Sequence, residues 1–154
     1  PQKSVQFEFI QSLTAIESHK SKLRGNLMTE NETARIVGDS AFKIHSTLGP
    51  GLFESVYETV LAYELQKRGC HIVRQRGVPV IWDEIRMKVG FRADLIVNRK
   101  LIVEVKSIES LAPVHSKQLR TYLVLTDFKL GLLINFNVEL IKFGLKRVVN
   151  GLAE

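Results

Sequence analysis

The segment Leu101-Ile102-Val103-Glu104-Val105-Lys106 constrains this chain more than any other, because it sets a carboxylate and an ammonium into an otherwise apolar strand. Side chains alternate across a strand with period two. Leu101, Val103 and Val105 therefore share one face, which is core, while Ile102, Glu104 and Lys106 share the other. An exposed Glu-x-Lys is ordinarily a solvated face with a weak ion pair. Here, however, the preceding run, Ala93 to Val97, brings Asp94 on the face of Ile96. If the connection is the three residues Asn98, Arg99 and Lys100, residue 97 pairs with 101 and Asp94 falls opposite Glu104, their Cβ atoms about 4.5–5.5 Å apart. A two-residue connection would set Asp94 against Val105 and turn Glu104 away. The chemistry of the pair depends on that register.

Two carboxylates at such a separation, near the end of a sheet, can share one divalent cation. Mg²⁺ prefers hard oxygen ligands, keeps several waters, and lowers the pKa of a bound water that can attack phosphorus. Lys106 would orient that water or offset charge on the transition state.

The remaining pattern places this hairpin within a single domain. Thr29 and Glu32 form a T-x-x-E capping box ahead of Ile36, Val37, Ala41, Ile44 and Leu48, which predicts a helix ending at Leu48-Gly49-Pro50-Gly51. A second helix runs from Phe53 through Val56, Val60, Leu61 and Leu65 to the basic pair Lys67-Arg68, with Gly69 beyond it. The Val- and Ile-rich runs 71–76, 78–82, 85–91, 93–97 and 101–106 read as an antiparallel meander. Pro113 opens a third helix to about Thr126, and 129–135, 139–143 and 145–149 read as strands. Helices, strands, helix, strands imply an α/β sandwich around a mixed sheet. Residues 1–27 stand apart. They read as an appendage, either an added strand-then-helix from Val5 to Lys22 or sequence preceding a natural start at Met28.

With 154 residues, 45% of them hydrophobic, the chain is long enough for one well-buried core. Its longest apolar stretch, Leu130 to Phe136, falls far short of the roughly 20 residues that span a bilayer, so no membrane role is expected. The first 27 residues lack the continuous apolar region of a secretory signal, and a single cysteine, Cys70, can form no internal disulfide. Both features predict a cytoplasmic setting. Twenty-two Lys and Arg against sixteen Asp and Glu leave a net charge of +6, compatible with a polyanionic partner.

Asp94, nine intervening residues and Glu104-Val105-Lys106 resemble the D-x(n)-E-x-K signature of the PD-(D/E)XK nuclease superfamily. The stretch Leu48-Gly49-Pro50-Gly51-Leu52-Phe53-Glu54-Ser55-Val56-Tyr57 resembles the signature of its GxxExxY branch, and Gln118 with Tyr122 is similar to the Q-x-x-x-Y helix of RecB-type nucleases. The likeness runs from about Met28 to Gly151; where the superfamily often has Pro before the metal-binding Asp, this chain has Ala93. The resemblance implies a restriction-endonuclease-like sandwich over residues 28–154. It also implies Mg²⁺- or Mn²⁺-dependent hydrolysis of nucleic acid, DNA before RNA. Glu54, Asp94 and Glu104 would be metal ligands, Lys106 would position the nucleophile, and Gln118 and Tyr122 would touch phosphate or the attacking water. The alternative is the same fold kept as a silent nucleic-acid- or protein-binding module.

A homodimer is compatible with two-stranded cutting. His45 and His115 are secondary candidates; a lone His on an amphipathic helix, as His45 is, is more often a hydrogen-bonded structural residue, and His115 at the head of the third helix could contact a phosphate or simply pack. Arg86, Lys88, Arg92, Arg99, Lys100, Lys117 and Arg120 are candidate phosphate contacts.

Overall fold

The computed structural model describes residues 1–13 and 27–153. Among the described residues, four helices, α1 (Gln2–Ser12), α2 (Glu30–Leu48), α3 (Glu54–Lys67) and α4 (Pro113–Thr126), flank one sheet. Its strands are β1 (Ile72–Trp82), β2 (Ile85–Val97), β3 (Leu101–Lys106), β4 (Leu130–Asn135) and β5 (Leu145–Val149), in the spatial order of the sequence. The pairs β1–β2, β2–β3 and β4–β5 are antiparallel. Only β3 and β4 run parallel, because α4 carries the chain back across the sheet between them. The mixed α/β sandwich expected from the order of elements is the architecture observed.

The period-two reading of β3 separates the two halves of the core. Leu101, Val103 and Val105 pack with Leu95 and Val97 beneath Val37, Ala41 and Ile44 of α2 and Tyr57, Leu61 and Leu65 of α3. Ile102 and Ile96 face the opposite layer, where Phe9 and Leu13 meet Leu119 and Leu123 of α4. Each fully buried aliphatic side chain contributes about 1.5–3 kcal/mol relative to exposure. β3 and β4, each covered on both faces and flanked on both edges, are therefore firmly held. The Thr29–Glu32 capping box forms as its spacing predicts, the Thr29 hydroxyl accepting from Glu32 N and the Glu32 carboxylate from Thr29 N.

Three local expectations give way. Val5 lies in a helix, not a strand: Val5, Phe9 and Leu13 recur every fourth residue, and all three are buried. The rest of the strand-then-helix expected to Lys22 lies outside the described residues from 14 onward. The runs on either side of Gly77 fuse into β1, and those on either side of Arg92 into β2, with a bulge between Val78 and Val80 that accommodates Pro79. Residues 139–143 form no strand. Ile141–Phe143 is a 3₁₀ turn, because Gly144 N bonds Ile141 O and Asn135 N bonds Gly144 O, which closes the chain back into β5. Among the described residues, no helix is long and apolar enough to cross a membrane.

At Gly131 on β4, an added Cβ would sit 2.9 Å from the Leu119 side chain, so glycine sets how closely α4 approaches the sheet. Gly131→Ala is expected to destabilise the fold by about 1–3 kcal/mol. Gly38→Ala, in α2 with open space around it, should stabilise by about 0.5–1 kcal/mol. Urea denaturation of both variants checks the pair; equal midpoints would contradict the packing described.

Candidate active site

The hairpin keeps the odd register. Val97 pairs with Leu101, Ile96 with Ile102 and Leu95 with Val103. Asn98 and Arg99 both take positive φ, 52° and 57°, and Lys100 N donates to Val97 O, so the chain reverses without shifting the ladder. Asn98 suits that backbone better than most residues. Its buried side chain also accepts from His71 N at 2.9 Å, pinning the turn to the start of β1.

One step beyond Leu95 and Val103, side chains take over from the backbone ladder. The Glu104 carboxylate accepts from Asp94 N at 3.3 Å, and the Asp94 carboxylate accepts from Val105 N at 2.9 Å. Glu104 is only 6% exposed. Burial pushes its carboxyl from an ordinary 4.5 up to about 8, with the Asp94 charge adding to the effect; the Asp94 N–H and Lys106 pull the other way. Two adjacent carboxylates in such a place are relieved either by a proton or by a cation.

The second half of the site comes from the Gly-Pro-Gly turn. The buried Tyr57 hydroxyl donates to Gly49 O at 2.5 Å and accepts from Leu52 N at 3.2 Å, while its ring stacks on Phe136 at 4.4 Å. Tyr57 thus clamps the turn that starts α3. Glu54, in the first turn of α3, accepts from Ser107 N at 3.1 Å, and the Ser107 hydroxyl donates to Leu52 O at 2.6 Å. The end of β3 is tied to the start of α3 in this way. Between them opens a cavity of about 770 Å³ whose lining includes Glu54, Glu58, Gln75, Asp94 and Ser107, with Phe53, 81% exposed, alongside.

Lys106 is half-buried and close enough to Glu104 to favour its ionised form. Tyr122 is half-buried and stacked on Phe91 at 3.8 Å; desolvation, then the charges of Glu104 and Asp94, push its hydroxyl pKa up, so it lies within electrostatic reach of both. Gln118, one turn earlier on α4, is exposed, and its side chain makes no hydrogen bond with another described residue. Asp94, Glu104, Lys106 and Tyr122 therefore converge. Glu54 shares the cavity with Asp94 but is engaged with Ser107.

The two histidines take structural roles. His45 Nε2 pairs with Val138 O at 2.7 Å, and His115 Nδ1 accepts from Ala112 N at 2.9 Å at the head of α4. Among the basic candidates, Arg86 pairs with Glu8, Arg92 donates to Gln75 O and Arg120 donates to Val149 O.

Glu58 and Gln75 belong to the site without a motif to announce them. Glu58 is buried, accepts from Arg74 at 3.3 Å and from Gln75 at 2.9 Å, and lines the cavity. Its signal was its place four residues after Glu54, on the same helix face. Gln75 lies on β1, where only tertiary structure brings it to Asp94, at 3.2 Å. Buried Asn135 is a third such residue: its side chain bonds Ile108 N and O, holding the segment that leaves β3.

Among the described residues, no three His, Cys, Asp or Glu side chains come together as a metal-holding group. The pair Asp94–Glu104 offers two carboxylates, and Mg²⁺ is commonly held by one or two while it keeps its waters. The pair fits that ion, and Glu54 lines the same cavity as Asp94. Among known proteins, the family model described as the PD-(D/E)XK nuclease superfamily matches residues 31–148. No curated protein and no solved structure matches the chain.

The raised Glu104 pKa has a sign that can be measured. Between about pH 4.5 and about pH 8 the native state holds a proton that the unfolded chain has lost, so stability from this group is fully present below the lower value and lost as pH rises through the upper. In EDTA, the stability of the wild-type chain relative to Glu104→Gln should fall across that window. Chemical denaturation at a series of pH values checks it, and a difference independent of pH would contradict the burial described.

Proposed function

We propose that this chain, which belongs to the PD-(D/E)XK nuclease superfamily, is a metal-dependent nuclease that hydrolyses phosphodiester bonds, with DNA its preferred substrate. Within the superfamily we assign it to the GxxExxY branch; Gly51, Glu54 and Tyr57 supply that spacing, and the contacts of Glu54 and Tyr57 give the last two structural work. The observation that carries the nuclease reading is the pair Asp94–Glu104, in which Glu104 accepts from Asp94 N and Asp94 accepts from Val105 N across the parting strands, too crowded to carry two charges unaided.

In this reading Asp94 and Glu104, with Glu54, would hold Mg²⁺ or Mn²⁺. When bound, that cation would supply Lewis acidity to the phosphate and lower the pKa of the attacking water. Lys106 orients that water and offsets charge developing on phosphorus. Tyr122, within electrostatic reach of the carboxylates, and Gln118, one turn away on the same face of α4, contact the scissile phosphate. The net charge of +6 favours a polyanion, and each phosphate neutralised steepens the salt dependence of binding. A single buried thiol, Cys70, whose pKa burial raises, accords with a reducing cytoplasmic setting.

The wild-type chain should cleave DNA with Mg²⁺ or Mn²⁺ and stop in EDTA, and Glu104→Ala should reduce cleavage to background. Lys106→Met should leave Mn²⁺ binding intact while lowering kcat by about 10²–10³-fold. A nuclease assay on linear, nicked and single-stranded DNA and on RNA measures all of these. Cleavage that persists in Glu104→Ala would sink the site, and tight, salt-sensitive binding without any cleavage would make the chain a binding module instead.

A further inference from the structure

Three elements meet at the side-chain amide of Gln75. Its Nε2 donates to Glu58 Oε2 at 2.9 Å and to Asp94 Oδ1 at 3.2 Å, so both amide hydrogens go to carboxylates, one from α3 and one from β2. Ionised carboxylates only accept, which requires the amide to present its nitrogen to them. Each end of this bridge is anchored. Glu58 is buried and held by Arg74 through its other oxygen, and the backbone carbonyl of Gln75 accepts from the Arg92 side chain at 3.3 Å. On the far side, Asp94 Oδ2 takes Val105 N. Among the described residues each Asp94 oxygen thus has one donor, which leaves each with acceptor capacity to spare.

The backbone beneath this side chain is unusual. Gln75 has φ 48° within β1, a conformation that glycine adopts freely and other residues adopt at a cost of about 1–3 kcal/mol. Such a residue persists where its surroundings over-determine it. What over-determines it here is the set of hydrogen bonds just described.

We infer that Gln75 is a positioning residue, which locks the Asp94 carboxylate toward the cavity and beside Glu104 by bridging it to the anchored Glu58. A neutral donor suits this task, because it joins two negative groups without adding a charge that would compete with a cation. In its bearing on catalysis the inference rests on the metal-dependent reading above. The amide contributes neither a ligand nor a proton. It acts through Asp94.

The backbone supplies a test that separates positioning from mere structural support. Gln75→Gly removes the amide and frees the strained φ; Gln75→Met keeps the length of the side chain and the backbone strain while removing the amide group. Three quantities are read on the full chain: the melting temperature in EDTA, Mn²⁺ affinity by calorimetry, and the Asp94 side-chain rotamer from three-bond NMR couplings in metal-free protein. Gln75→Gly is expected to melt no lower than wild type. Both variants should bind Mn²⁺ about 10- to 100-fold more weakly, the range found when residues that orient metal ligands are removed. Both should show averaged Asp94 couplings where the wild type shows a single rotamer. Unchanged couplings in Gln75→Met, or wild-type Mn²⁺ affinity in either variant, would overturn the inference. So would a lower melting temperature in both variants with the Asp94 rotamer intact, which would make Gln75 a tie between α3 and the sheet. A wild-type chain that takes up no Mn²⁺ would refute the metal reading, and the couplings would still decide what Gln75 does to Asp94.

Discussion

Where β2 and β3 part, two carboxylates occupy places that backbone carbonyls would fill in a continuing ladder. Glu104 accepts the N–H of Asp94, and Asp94 accepts the N–H of Val105. Much of the molecule is arranged around that exchange. It needs β3 held rigidly from both faces, which the helices on either side of the sheet provide, and it needs an odd hairpin register, which the positive-φ turn at Asn98 and Arg99 provides. A one-residue slip would put Glu104 on the face now held by Val103 and Val105.

The exchange also stores an electrostatic tension. A buried carboxyl next to an ionised one favours a proton, and the protein meets this with weak compensations: one backbone N–H and a half-buried Lys106. A fully paired cluster would be more stable and chemically idle. The tension at Glu104 is the kind of perturbation that clusters at functional sites. Glu58 shows the contrast. It is also a buried carboxylate, but Arg74 and Gln75 satisfy it.

What was legible in the sequence was local. The capping box at Thr29, the Gly-Pro-Gly stop, the alternation in Leu101–Lys106 and the three-residue hairpin each depend on residues a few positions apart, and each predicts what forms. Asp94 opposite Glu104 followed by counting. The failures have a common cause in tertiary context. Val5 is helical because the sheet offers Phe9 and Leu13 a surface to bury against, and 139–143 turns because Asn135 and Gly144 close on each other. Gln75 was beyond reach for the same reason. A strand glutamine carries no signal until the fold brings it between two carboxylates from other elements. Residues 1–13, set apart in the sequence, supply Val5, Phe9 and Leu13 to the buried interior.

The central claim is that the Asp94–Glu104 pair is where a divalent cation binds. Anomalous diffraction from crystals grown with Mn²⁺ tests this directly. The account predicts a single strong peak within ligand distance, about 2.0–2.6 Å, of oxygens from both carboxylates. A peak held by other side chains, or none at a Mn²⁺ concentration that supports turnover, would contradict it.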